Sequence, residues 1–256
     1  MNKIQTFKEL HMSEDLLFLG NAWDLLSALI LEKAGFKAIG TTSWGIANSI
    51  GLADGELIDF DRHLRIIQSI TENVNIPVSA DIEAGYSDDP NTIVNNVLRT
   101  ADVGVAGLNI EDSFKSQKGM KDIIQHSNLL SQIRTALDNH GFKDLYINAR
   151  IDTYFQIENP LVETIDRGKA YAESGASGIF VPGLVNEDEI KEIILHVNAP
   201  LNILSLPGIT NCNKLKELGV KRFSFGNALS DKVIAYMEKT VEQILEKNDT
   251  SILYEG

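Results

Sequence analysis

Eight short apolar, β-branched stretches recur along the chain, each bounded by Gly, Pro, Asp or Asn and separated by segments with helical spacing. They fall at residues 16–20, 37–41, 76–81, 105–111, 144–149, 177–181, 200–204 and 221–226. The helical pattern occupies 23–34, 59–71, 91–102, 128–139, 161–174, 187–196 and 211–218. The phrases EKAGFKAIG, YAESGASGIF and LKELGVKRFSF repeat one grammar of helix, Gly and strand, because Gly takes the left-handed turn past a helix end without a steric penalty. Regular βα alternation dictates a parallel sheet, since each strand must return to the same end through a crossover. Eight such units in 256 residues suit a closed (β/α)8 TIM-type barrel, a single domain over 1–256. The alternative, an open α/β sheet, is disfavoured: no G-x-G-x-x-G follows the first strand and no Walker-type loop occurs.

A last segment, 231–247, reads as an amphipathic helix with Val233, Ile234, Met237, Val241, Ile244 and Leu245 on one side. As a C-terminal packing helix over 231–248, it must lay that face on its own barrel or on a neighbouring subunit. Composition narrows the partners. A net charge of −13 disfavours nucleic acid and anionic membrane surfaces, and no apolar run is long enough to span a bilayer. Met1, Asn2, Lys3, Ile4 and Gln5 lack the layout of a secretion signal, so a cytoplasmic location is expected. The single cysteine, Cys212, excludes an internal disulfide or a thiolate metal cluster and reads as a packed small hydrophobe.

In barrels of this kind chemistry sits at the C-terminal strand ends. The third strand ends PVSADIEAGYSDDP, the fourth GLNIEDS and the fifth YINARID. Asp81 and Glu83 are two apart, so an extended segment points them to one side, and Glu111 ends the adjacent strand. Three carboxylates on neighbouring strand ends give hard oxygen ligands suited to Mg²⁺ or Mn²⁺. Solvated loop acids are the alternative for any one of them. Asp88 and Asp89 before Pro90 read as a helix start. Arg150 is either the partner of a buried carboxylate or a clamp for a substrate carboxylate or phosphonate. In GTTSWGIANSIGLADGE, the hydroxyl and glycine residues around Thr42, Ser43, Trp44 and Gly45 can form a carboxylate nest, with Trp44 either a core aromatic or a pocket wall. No Lys lies at a clear inward strand end, which weighs against a Schiff-base aldolase.

The motifs GNAWDLLSALILEKAGFKAIGTTS, IGLADGE, VSADIEAGY, GVAGLNIEDS, INARIDTYF, RGKAYAESGASGIFVPG and PLNILSLPG, in this order, resemble the isocitrate lyase/phosphoenolpyruvate mutase superfamily along nearly the whole chain. NIEDS, INARID and FVPG are most similar to its phosphonomutase-like subgroup. The resemblance implies Asp81, Glu83 and Glu111 at a Mg²⁺ or Mn²⁺ ion, directly or through water. It implies Ser43 with the backbone near Trp44 and Gly45 on a substrate carboxylate, Arg150 at the other end, and Asp54 orienting substrate or water. The implied substrate is a small 2-oxo acid or phosphonate, the implied chemistry C–C or P–C cleavage or decarboxylation through an enolate. The implied assembly is a homo-oligomer, dimer or tetramer, with C-terminal helices packed on or swapped with a partner barrel.

The chain also departs from the family pattern. Lyases of the superfamily carry a Cys-bearing loop after the fourth strand, where this chain reads EDSFKSQKGMKD without Cys or His. The mutase's Asn-bearing gating segment has no match there, and Pro182 stands where the mutase has a histidine. Beside a lyase, the alternatives are a non-catalytic 2-oxo acid binder that has lost the acid/base loop and a phosphonopyruvate hydrolase or mutase. Lys115, Ser116 and Lys118 form either a lid hinged at Gly119 or a solvated loop.

Overall fold

The computed structural model describes residues 2–254, so residues 1, 255 and 256 of the expected 1–256 span lie outside it. Eight parallel strands close into a barrel in chain order. They are β1 (Leu17–Ala22), β2 (Ile39–Thr41), β3 (Val78–Asp81), β4 (Gly107–Glu111), β5 (Tyr146–Arg150), β6 (Gly178–Val181), β7 (Leu201–Leu204) and β8 (Arg222–Ser224). The helices are α1 (Lys3–Met12), α2 (Leu25–Ala34), α3 (Ser43–Ser49), α4 (Phe60–Asn73), α5 (Pro90–Asp102), α6 (Ile123–Asn139), α7 (Thr153–Gln156), α8 (Leu161–Glu173), α9 (Glu187–His196), α10 (Cys212–Glu217) and α11 (Ala228–Lys247). The closed barrel meets the expectation from the eightfold alternation.

Local chemistry sets the boundaries. Asp24 and Ser27 form a reciprocal capping box at the start of α2, and Gly35 ends the helix in the left-handed region at φ 97°. Asp89 caps α5 by accepting from the Thr92 N–H at 2.9 Å, with Pro90 in the first turn, as the sequence predicts. Helix α6 starts at Ile123 rather than 128 because Asp122 accepts from the Ile124 N–H.

The two faces of the strands differ. Leu108, Ile110, Ile147, Ala149, Ile179, Val181 and Ile203 pack outward against helix residues such as Ile93, Val97, Leu130 and Ile133, forming the main core. The lumen is polar: Asn148 donates to Asn109 at 2.8 Å, and buried Arg222 reaches Ser79 and Asn109 at 3.3 Å. Cys212 is half-buried and packs on the main core.

Helix α1, which the sequence pattern did not reveal, covers the N-terminal end of the barrel. Phe7 is fully buried among Leu17, Leu19, Ala38, Ala106 and Tyr146. His11 stacks on Tyr146 with ring centroids 3.9 Å apart, and Lys3 Nζ donates to Thr71 O and Val74 O of the α4 end.

Helix α11 begins at Ala228, three residues ahead of the expected 231, and much of its apolar face is exposed. Met237, Val241 and Leu245 are 59%, 60% and 76% exposed. Its first turn is held to α3 through Trp44 Nε1, which donates to Asp231 Oδ1 at 3.0 Å. Among the described residues no helix is long and apolar enough to cross a membrane.

Candidate active site

Strand β3 delivers Asp81 to the C-terminal mouth, where its Oδ2 accepts from Ser43 Oγ at 3.1 Å and lies 3.5 Å from the Ser43 N–H. Its backbone is fixed on both sides: the Asp81 N–H donates to Thr41 Oγ1 at 2.8 Å, and its carbonyl lies 2.9 Å from His63 Nε2. Glu83 does converge on Asp81, but not by the extended alternation expected from the sequence. The chain turns left-handed at Glu83, φ 50°, and its N–H lies 3.4 Å from Asp81 Oδ1. Glu56 and Tyr86, at φ 63° and 61°, are also left-handed. Such conformations cost a non-Gly residue on the order of 1–3 kcal/mol each and persist only where the surroundings enforce them.

The enforcing contacts are mutual. Glu56 Oε1 accepts from the Ala84 and Tyr86 N–H groups at 2.9 and 2.8 Å, while the Glu56 N–H and the Tyr86 hydroxyl donate to Glu83 Oε1 at 3.1 and 3.3 Å. Glu56 was not singled out by sequence, since nothing local marks its reach across to the β3 loop. Gly85 has no alternative: at φ 101°, an added Cβ would lie 2.5 Å from Ile93 Cγ2.

Strand β4 brings Glu111, 1% exposed, to the same mouth, its N–H donating to Glu83 O at 2.9 Å. Lys115 Nζ lies between the two acids, 2.9 Å from Glu83 Oε2 and 2.7 Å from Glu111 Oε1. Arg150 Nη1 is 3.0 Å from Glu111 Oε2. Glu83 Oε2 and both Glu111 oxygens therefore face Lys115 and Arg150 and have no other partner among the described residues. Burial pushes the Glu83 carboxyl up to about 7 against the pull of Lys115. Glu111 is also pushed up by burial, opposed by Arg150. Burial works against the Lys115 ammonium, but Glu111 and Glu83 outweigh it and hold the proton more firmly than usual.

Asp54 is half-buried at this cluster with Oδ1 unpartnered, and burial followed by the charge of Asp81 raises its carboxyl above the ordinary range. Arg150 is a carboxylate partner first: its Nε donates to Asp152 Oδ1 at 2.6 Å. Asp152 Oδ2 also accepts from Ser113 Oγ, which in turn accepts from Gln156 Nε2 at 2.7 Å. Asp152 and Gln156 come from the β5 end and α7, which was not foreseen. An open hollow of ≈ 700 Å³ is lined by Glu111, Lys115, Arg150, Asp152 and Gln156 among others.

The structure gives three of the expected substrate-binding residues other partners. Thr42 caps α3, its Oγ1 accepting from the Gly45 N–H at 3.4 Å, so that N–H is already used. Gly45 is a packing position, where an added Cβ would lie 2.8 Å from Trp23 Cβ. Trp44 is not a core residue: it is 44% exposed and its indole bonds Asp231. Ser116 and Lys118 are exposed, and of the loop residues Lys115 alone reaches the acids among the described residues.

The side chains present fit a hard divalent cation. Asp81, Glu83, Glu111 and Asp54 offer oxygens only: Asp54 Oδ1 has no partner, and Glu83 Oε2 and the Glu111 oxygens meet only Lys115 and Arg150 among the described residues. Among the described residues, no three Asp, Glu, His or Cys side chains stand close enough to form a ready cage. A wide oxygen set suits Mg²⁺, which dehydrates reluctantly and is held partly through its waters.

The phosphoenolpyruvate phosphomutase family model matches residues 7–245. An uncharacterised protein of Mycobacterium tuberculosis is 35% identical over 223 residues, spanning 87% of this chain and 82% of its own. An oxaloacetate decarboxylase of Pseudomonas entomophila is 30% identical over 229 residues, spanning 87% and 78%. A Burkholderia cenocepacia crystal structure, provisionally described as a phosphonomutase, superposes with a TM-score of 0.90 at 31% identity, over 94% of this chain and 100% of that one. A 2,3-dimethylmalate lyase of Eubacterium barkeri and a phosphoenolpyruvate phosphomutase of Tetrahymena pyriformis also match, at 27% and 22% identity.

Proposed function

Because the chain belongs to the phosphoenolpyruvate phosphomutase family, we propose that it is a Mg²⁺-dependent enzyme that cleaves or decarboxylates a small 2-oxo acid through an enolate. The observation that supports this most is the concentration of Asp54, Asp81, Glu83 and Glu111 at one mouth beside Arg150 and Lys115. Asp81, Glu83 and Glu111 would hold the ion, directly or through water, with Mn²⁺ as a substitute. A bound divalent cation supplies Lewis-acid stabilisation of the negative charge that develops on a ketone oxygen when the bond alpha to it breaks.

The chain's own residues do the rest. Ser43, whose hydroxyl donates to Asp81 Oδ2 in the unliganded mouth, would turn that proton to one substrate carboxylate once Asp81 engages the ion. Arg150 keeps its two acidic partners and turns its remaining N–H groups to the other end of the substrate. Asp54, with an unpartnered oxygen and a raised carboxyl, orients substrate or water, and Glu111 holds the Arg150 guanidinium in place through its 3.0 Å contact with Nη1. With no Cys or His in the 113–120 loop, isocitrate-type cleavage is disfavoured and a 2-oxo dicarboxylic acid or a phosphonate is the better substrate class. The exposed apolar face of α11 is proposed to be covered by a second copy in a homo-oligomer, since five large apolar side chains there stay in water otherwise.

Purified protein with Mg²⁺ is offered oxaloacetate, phosphonopyruvate, 2-methylisocitrate and alkylmalates, and pyruvate release is followed with and without EDTA. Chelator-sensitive pyruvate from one of them is expected. Silence across the panel, with thermal stabilisation by the same compounds, would replace the enzyme reading with a 2-oxo acid binder.

A further inference from the structure

The loop after β4 is a hairpin with a fixed stem and a free tip. Ser113 and Met120 form an antiparallel bridge, the Phe114 N–H donates to Gly119 O at 3.0 Å, and the Lys121 N–H donates to Asp112 O at 2.7 Å. Buried Lys121 ties the stem again, its Nζ donating to Ser113 O at 2.9 Å. Asp112 beneath it is held by Arg167 and the Tyr171 hydroxyl, both at 2.9 Å. At the tip, Ser116, Gln117 and Lys118 are exposed, and Gly119 sits at φ 106° in open space. Lys115, 19% exposed, tethers that tip to the mouth through Glu83 and Glu111.

We propose that Lys115 is an internal counter-cation for the metal site: it neutralises Glu83 and Glu111 when no divalent ion is bound, and metal loading expels it and releases the hairpin tip. The proposal rests on the metal reading above. Two buried carboxylates without a cation are costly, and one ammonium within 3 Å of both offsets much of that cost. A divalent ion drawn to the same carboxylates would stand close to the ammonium, and like charges at such range repel strongly where water is scarce. The stem cannot yield without breaking the Asp112 network, whereas the lysine's flexible four-carbon stem can swing outward. Metal affinity and tip order are then two sides of one coupling, each weakening the other by the same factor.

The test measures Mn²⁺ affinity by calorimetry and amide hydrogen exchange over 113–120, on the full chain and on Lys115→Met, Lys118→Met and Asp81→Ala. Lys115→Met is expected to tighten Mn²⁺ binding about tenfold or more, within the ordinary range of site coupling. Lys118→Met, an exposed and screened charge, is expected to change it by no more than about twofold. Mn²⁺ should speed exchange at the tip of the wild type and leave that of Lys115→Met, already fast, unchanged. Equal or weaker affinity in Lys115→Met, or a tip indifferent to Mn²⁺ in the wild type, overturns the proposal while the metal site stands, provided Asp81→Ala still abolishes binding. Binding that survives Asp81→Ala, or no binding by any of the proteins, overturns both.

Discussion

At the N-terminal end of the barrel, Arg222 lies 5.8 Å from the Phe7 ring centroid, with no carboxylate in ionic contact among the described residues. At the C-terminal end, Glu83 and Glu111 crowd around one ammonium and one guanidinium. Both ends bury charge, but on different terms. Below, burial pushes Arg222 down to about 10, and burial with Arg222 pushes His11 down to about 3, so His11 stays neutral in its stack on Tyr146. Shape decides that end. Above, carboxyls are raised, three non-Gly residues are held left-handed, and beside an open hollow the Glu111 oxygens meet only Lys115 and Arg150 among the described residues. Clustered acids and enforced strain at a mouth are what function requires and packing alone would not retain.

The sharpest way to break this contrast is to truncate the closed end. Phe7→Ala should destabilise the protein by about 3–5 kcal/mol, the usual cost of emptying a fully buried Phe site, and leave metal affinity unchanged. Urea unfolding checks the first part, and a loss below about 1 kcal/mol would mean that α1 does not close the barrel.

A pH profile comes next. The raised Glu83 and Glu111 carboxyls mean that the metal-free folded state holds protons the unfolded chain releases above pH 4.5. Their contribution to stability is therefore fully present below that pH and is lost as pH rises toward about 7, the Glu83 value. Urea midpoints across this window should fall, and fall less in Glu83→Gln. A Glu83→Gln profile parallel to wild type would show that Lys115 keeps that carboxylate ionised throughout.

The smallest effect belongs to a cap remote from both ends. Asp89→Ala should cost about 1 kcal/mol through loss of the α5 cap, with no change in metal affinity. A change in affinity would show that the β3–α5 loop is coupled to the mouth.

What the sequence displayed was what repeats or caps locally. Strand spacing, Gly35, Asp89–Pro90 and the acids at the β3 and β4 ends were all readable. Helix α1 was not, because Ile4, Phe7 and Leu10 make too sparse an apolar stripe, and Phe7 finds its partners far along the chain, at Ala106 and Tyr146. Thr42, Trp44 and Gly45 looked like a nest because hydroxyl and glycine residues serve helix caps and close packing equally well. Glu56, Asp152 and Gln156 enter the mouth region through contacts between different loops, and Lys115 gains its meaning only from the spacing of Glu83 and Glu111 in space.

The most direct test of the acidic mouth as a metal and 2-oxo acid site uses oxalate, a planar dianion shaped like an enolpyruvate. Its affinity is measured with and without Mg²⁺ for the wild type and for Asp81→Ala, with a thermal melt of each. The account predicts binding about 100-fold tighter with Mg²⁺, at the strong end of two-site coupling, and loss of that gain in a variant that melts like wild type. Oxalate binding that ignores Mg²⁺, or a gain that survives Asp81→Ala, would contradict it.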